Sequence, residues 1–86
     1  MSSLLKLETY DPNHLLDETL KLLSLQTDVA LAHRLKIAPP VLSKIRHFTL
    51  PVGATLLIRL HEETQLSIRD LRSLMGDYRV SFRSIE

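Results

Sequence analysis

Cysteine is absent from this 86-residue chain. Disulfide frameworks and thiolate-based metal or redox centres are thereby excluded, and the core must hold by packing alone. Glycine occurs only twice, and neither a glycine-rich phosphate loop nor a nucleophile elbow is present. The longest apolar runs fall far short of a membrane span, and the opening Met-Ser-Ser-Leu-Leu-Lys lacks the charged start, apolar stretch and cleavage site of a signal peptide. A cytoplasmic protein without membrane attachment is the expectation. No internal repeat or low-complexity segment is visible. A chain of this length holds one domain with a modest core, too small for a multi-domain enzyme with a deep cleft.

Metal and catalytic chemistry are also poorly provided for. His14, His33, His47 and His61 fall on different predicted helices with no i, i+4 pair, whereas a zinc site needs closer spacing or cysteine. His61-Glu62-Glu63-Thr64-Gln65 begins like a zinc-protease helix, but Gln65 stands where the second ligand belongs. Glu62 and Glu63 are neighbours on a helix and point apart, so they form no acid pair. The chain is expected to use no metal or cofactor and not to be an enzyme.

Helix signals are dense. Asp11-Pro12 supplies an N-cap and a proline at the first helical position, and Leu16, Leu20 and Leu23 mark a buried stripe on a helix running to about Leu23. Thr27 caps a second helix, with Asp28 at its positive end. A third begins at Pro39 or Pro40, where a missing N–H does no harm. Phe48 to Gly53 is a loop broken by Pro51 and Gly53, followed by a fourth helix with Leu56, Leu57 and Leu60 inward and an end near Gln65. Ser67-Ile-Arg-Asp70 opens a fifth, carrying Ile68, Leu71 and Leu74, which Gly76 ends. Leu15, Leu22, Leu25 and Ile58 are surplus to these stripes and are either further core or contacts to a second subunit.

Net charge is only +1, but it is segregated. Lys6 and Lys21 against Glu8, Asp11, Asp17, Glu18 and Asp28 give residues 1–28 a charge of −3. Arg34, Lys36, Lys44, Arg46 and Arg59 give residues 29–61 a charge of +5 with no acid, and residues 62–86 contribute −1. A polyanion would prefer the middle segment. That segment contains Thr27 to His47, which reads as a short helix, a turn at Lys36, Ile37 and Ala38, and a second helix. Leu31 and Leu35 lie one turn apart before the break, and Leu42 and Ile45 recur at helical spacing after it. On the second helix this leaves Pro39, Pro40, Ser43, Lys44 and His47 along one outward face without an acid. The layout is that of a DNA-reading helix-turn-helix.

These residues resemble the Cro/CI-type, lambda-repressor-like helix-turn-helix family. Its slots are filled by Thr27-Asp28, Leu31-Ala32, Leu35, Ile37 and Leu42-Ser43-Lys44-Ile45. The likeness extends through Pro51 and the leucine-rich helix after it, over roughly residues 15 to 75. Three positions depart from the pattern: Asp28 replaces a common glutamine, Lys36 replaces a common turn glycine, and two prolines open the recognition helix. The resemblance implies an all-α, five-helix domain over residues 11–76, flanked by an N-terminal arm (1–10) and a tail (77–86). It also implies a homodimer on two half-sites of double-stranded DNA, acting as a transcriptional repressor.

Candidate contacts follow from the outward face. Ser43, Lys44 and His47 could reach base edges or phosphates, and Pro39, Pro40 and Val41 open the helix, with Pro40 and Val41 suited to a thymine methyl. Lys36 sits in the turn. Arg46 falls away from the Ser43 face, toward backbone phosphate or solvent. Thr27 and the N–H groups of its helix could bind a phosphate, opposed by Asp28 unless that charge is paired or turned away. In the tail, Tyr78, Val80 and Phe82 alternate with Arg79, Ser81 and Arg83 at strand period. Such a strand could pair with a second subunit, cover its own domain or stay disordered, and Leu4, Leu5 and Leu7 offer another partner. The rival to DNA binding is a protein-interaction module on the same fold, an antitoxin or adaptor that binds a partner protein.

Overall fold

Five helices form at the expected places. In a computed structural model that describes residues 8–78, they are α1 (Pro12–Leu23), α2 (Asp28–Leu35), α3 (Pro39–Arg46), α4 (Ala54–Thr64) and α5 (Ile68–Leu74). No strand occurs among the described residues. Three helices start on side-chain caps: Asp11 accepts from the His14 N–H, Thr27 from Ala30 and Ser67 from Asp70, at 3.1, 3.1 and 3.0 Å. Each satisfies one of the amides that a helix start leaves unpaired. The other two begin on Ala38 and Gly53, without a side-chain cap.

The helix ends share one device. Ser24, Lys36, Phe48 and Gly76 adopt left-handed backbone, and the next residue's N–H reaches back five positions: Leu25 to Leu20, Ile37 to Ala32, Thr49 to Lys44 and Asp77 to Arg72. Gln65 closes α4 in the same backbone region with a shorter reach to His61. Glycine is the residue that adopts this conformation without cost. Yet only position 76 has one, and there the reason is contact. A Cβ at Gly76 would stand 1.8 Å from the Thr9 carbonyl oxygen. Phe48, with its non-glycine positive φ, has its ring edge-on to Tyr10 at 5.8 Å.

Leu31, Ala32 and Leu35 from α2 meet Leu42 and Ile45 from α3, and both sets are buried. Helix α1 packs on α3, α4 and α5, and α4 also packs on α2 and α5. Each fully buried leucine contributes roughly 1.5–3 kcal/mol of transfer free energy. Leu15 is fully buried, so it belongs to the core, whereas Leu22 and Ile58 are more than half exposed. The stripe positions Leu20, Leu23, Ile68 and Leu74 pack only at its margin, as does Leu25.

The boundary drawn before Asp11 needs correction. Tyr10 is buried, and its hydroxyl accepts the Val52 N–H at 3.2 Å. Burial pushes its phenol pKa up, which keeps the hydroxyl neutral. Thr9 Oγ1 donates to the Gly76 carbonyl, and the Asp11 N–H to that of Met75. At the other end Asp77 is buried and ion-paired with Arg72 at 3.3 Å. Thr9 and Asp11 thus tie the start of the domain to the end of α5 at Met75 and Gly76, with Tyr10 and Asp77 buried beside these contacts. The expected strand lies outside the described residues apart from Tyr78, which is exposed, as does the leucine-bearing start of the arm.

Candidate nucleic-acid interface

Helix α3 is held by its inner face and presents its outer one. Pro39, Pro40, Ser43, Lys44 and His47 are all exposed, as their spacing requires. Pro39 and Pro40 occupy the first two helical positions and carry no N–H, while the Val41 N–H bonds the Ala38 carbonyl at 3.0 Å. The first three residues of α3 therefore offer ring methylenes and no free backbone donor. At the other end the His47 Nδ1 lies 2.8 Å from the Ser43 carbonyl. A carbonyl can only accept, so Nδ1 is the donor and Nε2 remains available outward.

Val41 corrects the expected set. It is half-buried and lines a separate small groove with Ile37, Ile45, Leu50, Pro51 and Leu56, because one residue past Pro40 turns the side chain about 100° round the helix. The outward face gains Val29 of α2 instead, 54% exposed and lining a groove of about 550 Å³ with Pro39 and Pro40. The helical period that buries Leu31 and Leu35 places Val29 on the far side of α2. An exposed β-branched residue there was the available signal.

Arg46 is corrected too. Its side chain is 21% exposed, and its guanidinium makes a bidentate contact with Asp28, Nε to Oδ2 at 2.6 Å and Nη2 to Oδ1 at 2.9 Å. Nη1 reaches Asp17 at 3.0 Å and the Asn13 side-chain oxygen at 2.8 Å, and the Asn13 amide donates to the Arg46 carbonyl at 3.2 Å. The Asp28 hydrogen bonds raise the guanidinium pKa above its ordinary value against the opposing effect of burial. This side chain joins α3 to α1 and α2, with donors on the carboxylates of Asp28 and Asp17 and on the Asn13 oxygen. Asn13 and Asp17 carried no sequence signal for this role, since they lie 33 and 29 positions away from Arg46.

The same network meets the condition set for Thr27. Asp28 is paired, so the start of α2 is not left with an uncompensated carboxylate, although Thr27 itself spends its hydroxyl as a cap. Lys44 and Lys36 are exposed and enter no ion pair among the described residues. Arg34 is taken by Glu63 at 2.8 Å, and Arg59 donates to the Leu35 carbonyl at 3.3 Å. The candidate residues thus separate into an outward group of Pro39, Pro40, Ser43, Lys44 and His47, a turn residue Lys36, a cap Thr27 and a strut Arg46.

Among the described residues no group of three histidine, aspartate or glutamate side chains is placed to hold a metal ion, and no helix is long and apolar enough to cross a membrane. Comparison of the sequence with protein families, with characterised proteins and with solved structures finds no match.

Proposed function

We propose that this chain is a sequence-specific double-stranded DNA-binding protein that regulates transcription in the cytoplasm, most simply by occupying a promoter as a homodimer and blocking it. The observation that carries this reading is the outward face of α3. It holds the cation Lys44 and the polar Ser43 and His47, and the acid that borders it, Asp28, is bound by Arg46. Such a face can approach the electronegative major groove at low electrostatic cost, with polar groups within reach of base edges. The α2–turn–α3 arrangement supports the reading, because it stands the second helix out from the domain on the buried contacts of Leu31, Leu35, Leu42 and Ile45.

The exposed Val29, Pro39 and Pro40 favour a second reading, in which the same face docks a partner protein. Salt separates the two. Binding to mixed-sequence duplex DNA should weaken steeply as salt rises, because each phosphate contact releases counterions, giving a slope of about 0.9 in the log–log plot per contact. Absent or salt-insensitive binding to duplex DNA overturns the DNA reading and leaves the protein-docking one.

A further inference from the structure

The leading end of α3 cannot read DNA by the means that helix starts ordinarily offer. Pro39 and Pro40 have no N–H, and the Val41 N–H is spent on Ala38. Val29 projects from α2 beside the two prolines, so three adjoining side chains present only carbon. Their polar neighbours in the groove are Ser43, Lys44, Arg46 and His47 further along α3, and Asp28, held by Arg46, next to Val29. Within the major groove one base-edge feature is apolar, the C5 methyl of thymine, which guanine, adenine and cytosine lack. We propose that Val29, Pro39 and Pro40 form a pocket for thymine methyl groups, so that this chain selects its site by apolar contact at thymine, with Lys44 supplying the attraction to the duplex.

This inference rests on the proposed DNA-binding function and adds the base that is read. Charge favours a nucleic acid occupant over an acid-poor peptide, because among the described residues the groove is lined by two cations, Lys44 and Arg46, against one acid, Asp28, which Arg46 binds.

The test begins with selection of duplexes from a random pool on the full chain, followed by replacement of each thymine in the selected site with uracil, which removes only the methyl. At the contacted positions affinity should fall about three- to fivefold per methyl. Val29→Ala and Pro40→Ala are surface changes, and a thermal melt verifies that they fold. In these variants the thymine-to-uracil ratio should shrink toward one, whereas Lys44→Ala should weaken both duplexes equally and keep the ratio. Selected sites that tolerate uracil everywhere overturn the methyl pocket while leaving DNA binding standing. A ratio that persists in both folded variants also overturns it, since the methyl is then read elsewhere. Failure to enrich any duplex overturns this inference together with the DNA reading.

Discussion

Between residues 29 and 61 the chain carries three arginines and two lysines, and the fold uses the two kinds of cation differently. Arg34 and Arg46 are paired with Glu63, Asp28 and Asp17, all of which lie outside that segment, and Arg59 is directed at the end of α2. Lys36 and Lys44 are exposed and unpaired among the described residues. A guanidinium has a rigid fork of donors that suits a fixed two-point contact between helices, while an ammonium on a flexible stem serves as a mobile point charge. The difference teaches that a run of basic residues overstates the positive field of a surface. Acids distant in sequence cancel part of it, and what is left uncancelled among the described residues is Lys44 on α3, Lys36 in the turn and Arg59, whose guanidinium is directed at the Leu35 carbonyl.

That division between internal struts and free cations can be broken or sharpened by mutation. The largest effects should come from the apolar contact on which both classes are mounted. Leu35→Ala and Ile45→Ala should each lose about 2–5 kcal/mol of stability, enough to unfold a domain of this size. Chemical denaturation measures this, and near-native midpoints would show that α2 and α3 do not meet on these side chains.

Next comes Arg46. Its removal strands Asp28 and Asp17 and breaks the tie to Asn13, which should cost about 1–3 kcal/mol given the partial exposure of the site. Arg46→Lys should recover less than half of that, because an ammonium cannot make the bidentate contact. Unchanged melting of Arg46→Ala would return this residue to the set of free cations.

Lys44→Ala is the converse. Affinity for duplex DNA should fall about tenfold, with a salt slope lower by about one, while the thermal midpoint stays where it was. A shift in melting as large as that of Arg46→Ala would erase the distinction between strut and free cation. The smallest effect is expected at Lys36, whose φ of 60° is left-handed. Lys36→Gly should stabilise by about 0.5–1 kcal/mol, since relief of the Cβ clash outweighs the extra freedom of the unfolded chain. Destabilisation in a denaturation curve would mean that the lysine side chain contributes more to the fold than its exposure suggests.

The five helices were legible in advance because their signals are local. Caps act over three residues, proline acts at its own position, and apolar periodicity repeats within a turn or two. For the same reason the outward positions Pro39, Pro40, Ser43, Lys44 and His47 could be named from their spacing to Leu42 and Ile45. Tyr10, Val29 and Arg46 could not be assigned in this way. Tyr10 enters the core through contacts with Val52 and Phe48, Val29 joins the groove of α3 only when α2 brings it beside Pro39, and Arg46 is taken by residues from two other helices. Local backbone preferences and periodicity are properties of consecutive residues, so the sequence by itself determines where helices start, stop and turn their apolar side. Which charges cancel and which side chains share a surface depends on distances across tens of residues, and those exist only once the helices have packed.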